Sequence, residues 1–173
     1  NILKGLLSLP RSYYAMLLAH IGVAVAVVGM TMVSIYNEER DLRMAPGDTL
    51  TFKQYEFIFD GAREVQGPNY TADQARLRVL KDGEPYGELY PEKRLYTARG
   101  NVMTEAAIDP GLTRDLYVAL GESLEGGAWA VRVQHKPFVR WLWLGGLLMT
   151  FGGLLAATDP RYRKQSKRQS ATV

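Results

Sequence analysis

The 173 residues contain two histidines and no cysteine, so any chemistry that needs a neutral nitrogen ligand rests on His20 or His135, and thiol chemistry is excluded. His20 is the single ionisable side chain between residues 15 and 35 of the apolar run AMLLAHIGVAVAVVGMTMVSIY. An imidazole in hydrocarbon is costly unless it finds a partner, which makes His20 a candidate ligand; a hydrogen bond to a neighbouring helix is the competing reading. His135 is the weaker candidate, because it ends a strand-like stretch beside Lys136, where a solvated or interfacial histidine is ordinary. The two are too far apart to chelate one metal together. Glu92–Lys93–Arg94, Glu105 and the neighbours Arg114 and Asp115 look like surface charge on strands. No spacing matches a metal cluster, a nucleophile elbow or a phosphate-binding glycine loop. Asn69–Tyr70–Thr71 fits the N-glycosylation pattern, a short match that is frequent by chance.

The element that must position His20 is the run itself. Residues 15–36 reach the roughly 20 apolar residues a bilayer crossing requires, and residues 138–158 make a second such run if Arg140 snorkels to the headgroups. Two transmembrane helices are therefore expected, with Tyr13 and Tyr14 in one aromatic belt and Trp141 and Trp143 in the other. In the first, Gly22, Ala26, Gly29 and Val33 form a small-residue row that invites a neighbouring helix. His20 sits on a face with Met16, Leu17, Val23, Ala24 and Val27, roughly 10 Å along the helix from Tyr13. In the second, Gly146, Thr150, Gly153 and Ala157 are the expected stripe.

Charge sets the expected topology. The net charge is +3, yet between residues 37 and 137 there are 13 Lys and Arg against 17 Asp and Glu. The excess of basic residues lies in the flanks, at Lys4, Arg11, Arg161, Arg163, Lys164, Lys167 and Arg168. Basic flanks mark the cytoplasmic side, so both termini are expected inside and the middle outside, in the periplasm of a Gram-negative host. The same distribution argues against a nucleic-acid partner. The organisation read from the sequence is a cytoplasmic or interfacial segment at 1–14, a span at 15–36, a periplasmic β-domain at 37–137, a span at 138–158 and a basic cytoplasmic tail at 159–173. Because the chain opens on an asparagine, it is expected to be a piece of a longer protein.

Between the spans the period drops from helical to two. The charged stretch 37–47 reads as a linker ending in the turn Pro46–Gly47. Leu50 and Phe52, then Tyr55, Phe57 and Phe59, alternate with polar neighbours, and the phase slip at Lys53–Gln54 predicts a tight turn or bulge. Ala75, Leu77 and Val79 predict a strand that turns at Asp82–Gly83 into a partner at 86–90. Leu116, Val118 and Leu120, and Trp129, Val131 and Val133, predict two more. PEKRLY and MTEAAID have no pattern that fixes their type, and the latter could be irregular. Five to seven short antiparallel strands are expected, in a small sandwich or open barrel.

The stretches LAHIGVAVAVVG, DLRMAPGDT, VQGPNYTA, PEKRLY, MTEAAID, TRDLYVALGE and GGAWAVRVQHKPFVRWLWLGGLLMTFGGLLAATDPRYR, taken in this order over nearly the whole chain, resemble the C-terminal part of the CcmF (NrfE-like) family. These are the membrane heme lyase components of cytochrome c-type biogenesis. The resemblance implies a many-span inner-membrane protein that receives heme from a periplasmic heme chaperone and attaches it to apocytochrome c alongside thiol-handling maturation subunits. It also implies a b-type heme (heme b) held in the membrane by two histidines on different helices. By its place in LAHIG, His20 is then one axial ligand of that heme iron. The family's tryptophan-rich segment, its two periplasmic histidines and the second ligand match nothing in these residues. This chain alone is therefore expected not to be catalytic, its β-domain serving as a docking surface and its helices contacting the bilayer and the remaining helices of the parent. The competing expectation is a non-catalytic, membrane-anchored β-module acting as a scaffold or transporter accessory domain.

Overall fold

The computed structural model of the chain describes residues 9–98 and 100–159. It divides into two compact units, one built from the two ends of the chain and one comprising Tyr36–Pro137. Most of the segment expected at 1–14 and nearly all of the tail expected at 159–173 lie outside the described residues.

The first unit is a helix pair, α1 (Arg11–Tyr36) and α2 (Val139–Ala157). Both are long and apolar enough to cross a membrane. α1 begins one turn before Ala15: the Pro10 carbonyl accepts the Tyr13 N–H at 2.9 Å, and proline's fixed φ suits a helix start. The helices meet along small residues. A β-carbon on Gly145 would lie 2.5 Å from the Gly22 carbonyl oxygen and 2.7 Å from the Ala26 β-carbon, and one on Gly152 would lie 2.8 Å from the Ala15 carbonyl oxygen. One on Gly29 would sit 3.0 Å from the Leu142 nitrogen. The α1 row read from the sequence is therefore the contact face at Gly22, Ala26 and Gly29. The α2 stripe is not Gly146–Thr150–Gly153–Ala157, because β-carbons on Gly146 and Gly153 would meet nothing within 4 Å. The packed row lies one residue earlier, at Leu142, Gly145, Met149 and Gly152, about 100° around the helix. Each row carries one glycine of the adjacent pairs Gly145–Gly146 and Gly152–Gly153, and the smaller side chains of the Gly146 row made it the one to expect, although the contact uses the row with Leu142 and Met149.

The second unit is an antiparallel β-sandwich of ten strands: β1 (Glu38–Met44), β2 (Thr49–Phe52), β3 (Tyr55–Gln66), β4 (Tyr70–Lys81), β5 (Glu84–Leu89), β6 (Glu92–Tyr96), β7 (Val102–Glu105), β8 (Ala107–Pro110), β9 (Arg114–Ser123) and β10 (Trp129–Pro137). One sheet runs β1-β10-β9-β8; the other runs β2-β3-β4-β6-β7, with β5 also paired to β4. The inward residues of both sheets form one core. Phe52, Tyr55, Phe57, Phe59, Leu77 and Val79 meet Met44, Leu116, Val118, Leu120, Val131 and Val133.

The slip at Lys53–Gln54 is a tight hairpin turn, with Phe52 opposite Tyr55 and Lys53 at φ 57°. Asp82 and Gly83, at φ 52° and 83°, form the left-handed pair expected of a two-residue hairpin. There are more strands than the five to seven expected. The stretch read as a charged linker is β1, an edge strand held by its ladder to β10, from Glu38↔His135 to Met44↔Trp129. Only Leu42 and Met44 turn toward the core and its other side chains face water, so apolar alternation is confined to those last two inward positions. MTEAAID forms β7 and β8, which change sheets at Ala106 and are too short to display a period.

Candidate functional site

His20 lies mid-way along the first half of α1, on the side that α2 leaves uncovered. Two residues before Gly22, it points about 160° from the packed row, and it is exposed together with Met16, Leu17, Val23 and Val27. Its Nδ1 lies 2.7 Å from the Met16 carbonyl oxygen, one turn back. A proton on Nδ1 donated to that oxygen leaves Nε2 as a lone pair directed away from the helix, the tautomer that a metal-ligating histidine needs.

His135 belongs to the β-sandwich and does something different. The Lys53 ammonium approaches its Nδ1 at 3.5 Å and pairs with Glu38 Oε1 at 2.7 Å. Burial, and then the Lys53 charge, holds the imidazole pKa below its ordinary value. This is a neutral histidine fitted between strands. Among the described residues no group of three or more His, Asp or Glu side chains is placed to hold a metal ion.

The charged combinations seen in the sequence prove to be fasteners. Glu92 is buried and accepts from Gln74 Nε2 at 2.7 Å and from Arg94 Nε at 2.7 Å, and Lys93 reaches the Gly121 carbonyl at 3.1 Å and Glu122 at 2.5 Å. Burial works against the Glu92 charge, yet Arg94 and Gln74 bring its pKa below the usual value. Arg114 does not pair with Asp115, as their adjacency suggested. It donates to Asp109 Oδ2 at 2.5 Å, to Tyr55 Oη at 2.7 Å and to Tyr86 Oη at 2.7 Å, while Asp115 accepts the Gly111 N–H at 3.0 Å. Adjacent residues on a strand point to opposite faces, which was the signal against an Arg114–Asp115 pair. This hub adjoins a cavity of about 340 Å³ between β5 and β8, whose lining includes Val79, Leu89 and Leu116 with Tyr86 and Ile108 at its rim.

The fold and the site define a class: a β-sandwich set into the chain between two apolar helices, one of which carries an outward-facing histidine. Comparison with known proteins supplies the family. The family model described as CcmF C-terminal beta-sandwich matches residues 35–137, and the chain belongs to the CcmF family of cytochrome c-type biogenesis proteins. The chain is 58% identical over 167 residues to the cytochrome c-type biogenesis protein CcmF of Pseudomonas aeruginosa, covering 96% of this chain and 25% of that one. To the Escherichia coli CcmF it is 54% identical over 158 residues, covering 91% and 24%. The NrfE protein of Haemophilus influenzae is 42% identical over 156 residues, covering 90% and 24%. A solved structure of the cytochrome c heme lyase CcmF shares the fold, with a TM-score of 0.73 at 19% identity over 86% of this chain and 25% of that one. The chain thus spans about a quarter of the length of the curated relatives it matches.

Proposed function

We propose that this chain is the C-terminal part of the heme lyase component of cytochrome c maturation. α1 and α2 cross the inner membrane, the β-sandwich stands in the periplasm, and His20 is one axial ligand of a membrane b-type heme. The observation that carries the reading is the His20 ring itself: its Nδ1 faces the Met16 carbonyl at 2.7 Å, and its other nitrogen is free on the face of α1 turned away from α2. The residues fit the group. A neutral imidazole with a fixed tautomer suits heme iron, and the exposed Met16, Leu17, Val23 and Val27 give apolar surface for the macrocycle. Bound there, the heme supplies a one-electron iron centre to the maturation reaction.

The chain's own residues do the holding. The Met16 carbonyl faces Nδ1, His20 would offer the Nε2 lone pair to the iron, and Met16, Leu17, Val23 and Val27 would give the group its apolar surroundings. A second histidine ligand would have to come from outside this chain, since its other histidine, His135, lies in the sandwich beside Lys53. The basic flanks and the net-negative β-domain support cytoplasmic ends and a periplasmic sandwich. The exposed Tyr86 and Ile108 beside the β5–β8 cavity offer the sandwich a surface for the heme chaperone, apocytochrome c or the thiol-handling subunits.

The test is the reduced-minus-oxidised spectrum of the full-length protein purified in detergent. His20→Ala is expected to remove most of the b-type signal, and an unchanged spectrum would refute the ligand assignment. Reporter fusions at Gly83 are expected to report the periplasm.

A further inference from the structure

Asp159 closes α2, and it is 3% exposed although it carries a carboxylate. That carboxylate reaches the other helix: Oδ2 accepts the Ser12 N–H at 3.0 Å across a sequence separation of 147. Ser12 is the second residue of α1, where the first N–H groups have no carbonyl of their own helix to bond and the helix dipole favours a negative charge. The residue that the sequence marks as a helix stop is also the N-terminal cap of the partner helix.

The helix pair needs such a device. Gly22 and Gly29 are spaced by seven, and so are Gly145 and Gly152. The observed register sets Gly22 against Gly145 and Gly152 against Ala15 and Ala19. A slide of one heptad, about 10 Å, would bring Gly22 to Gly152 and Gly29 to Gly145 with comparable room. At one end single residues, Asn37 and Phe138, connect the helices to β1 and β10. At the other end stands the Asp159–Ser12 bond. His20 is eight residues from Ser12, about 12 Å along the axis, and sixteen from Tyr36. Its half of α1 belongs to the clasped end.

We propose that Asp159 is a positioning residue for His20: through Ser12 it fixes the rotation and register of the α1 half that carries the imidazole, and so keeps His20 on the face opposite α2. The proposal rests on the reading of His20 as a heme ligand.

The test uses the full-length protein in detergent and reads b-type heme per folded protein, its midpoint potential and the low-spin ferric electron-resonance signal. Asp159→Ala removes the acceptor. Ser12→Pro removes the donor at a first-turn position where proline is tolerated. Loss of a cap shifts a local equilibrium about fivefold, so each variant is expected to lower heme occupancy by up to about that factor and to shift the potential and the ferric signal. Asp159→Asn, which keeps an oxygen acceptor, is expected to restore at least half the occupancy. Thr158→Ala, which loses only a bond to the Leu155 carbonyl, is expected to match the wild type. Wild-type occupancy and potential in both Asp159→Ala and Ser12→Pro would overturn the proposal, as would a drop in yield alone with each folded molecule unchanged. If Asp159→Ala does not accumulate, Ser12→Pro decides. His20→Ala run alongside separates the two ideas: its retention of the spectrum would sink the ligand reading, whereas its loss beside unaffected clasp variants would sink only the positioning role.

Discussion

Gly22 and Gly145 meet backbone to backbone: a β-carbon on Gly22 would lie 2.8 Å from the Gly145 carbonyl oxygen and 2.8 Å from Met149. If α1 and α2 cross the membrane as proposed, they gain no hydrophobic advantage from associating, and this close approach, with the dispersion contacts it permits, holds the pair together. A methyl group at either glycine forces the helices apart. Gly22→Ala and Gly145→Ala are therefore expected to lower the unfolding midpoint of the detergent-solubilised protein. Gly146→Ala and Gly153→Ala meet open space and exchange glycine for a better helix former, worth up to about 1 kcal/mol each. They are expected to be neutral or stabilising. The opposite ranking would place the contact on the other glycine row.

That contrast also shows what the sequence could and could not reveal. The α1 row was legible because Gly22, Ala26 and Gly29 stand among bulky Val, Ile and Met, so only one face is small. α2 offers Gly145–Gly146 and Gly152–Gly153, and the choice between rows depends on a partner whose register no local pattern encodes. The core strands were legible because Phe57, Leu77, Val118 and Val131 alternate with polar neighbours. β1 was not, because only Leu42 and Met44 of this edge strand turn inward and the rest of it is held by backbone bonds and cross-strand charges such as Arg132 to Asp41 at 2.7 Å. His20 was legible as an anomaly in an apolar run. The 2.7 Å approach of its Nδ1 to the Met16 carbonyl one turn back was not, nor was the bond from the Ser12 N–H to Asp159, 147 residues away.

Arg114 ties β9 to β8, β3 and β5 through Asp109, Tyr55 and Tyr86, and its side chain is only 13% exposed. Burial disfavours its charge, but Asp109 and the two phenols outweigh that and raise its pKa. Arg114→Met would leave the Asp109 carboxylate without its guanidinium partner, while the buried Tyr55 hydroxyl would keep only the Gln54 amide as a donor. The expected loss is about 2–4 kcal/mol in urea unfolding of the full chain. Arg114→Met combined with Asp109→Asn removes the stranded charge and should recover roughly half of it. If the double variant is as unstable as the sum of the two single ones, the pair is not coupled.

The sandwich core makes a blunter prediction. Phe57, the third residue of β3, is fully buried, so Phe57→Ala opens a cavity and should cost about 3–5 kcal/mol. Val102, 57% exposed on the short β7, is a matched control whose alanine variant should stay within about 0.5 kcal/mol of wild type. Equal losses at both sites would mean that the two sheets do not share the core described.

His135 gives the β-sandwich a pH dependence of definite sign. Its folded pKa lies below its ordinary value because burial, and then Lys53, disfavours the imidazolium; Arg114 adds to this, while Glu38 opposes it. The unfolded chain therefore binds the proton first as pH falls. Stability is fully present above the unfolded histidine pKa of about 6.5 and declines as pH drops from there through the folded value. Protonation at Nδ1 would also turn the Lys53 contact into one between two donors. A second decline should follow at lower pH. Glu38, Asp41, Asp60 and Glu88 are each held below the usual carboxylate range by their bonds to Lys53, Arg132, Arg78 and Arg76. Their contribution is present above the unfolded carboxylate values near 4 and is lost as pH falls through the lower folded ones. His135→Asn should abolish the first decline and leave the second in place. A urea midpoint for the wild type that stays flat between pH 7.5 and 5.5 would show that His135 takes up its proton as freely in the sandwich as in the unfolded chain.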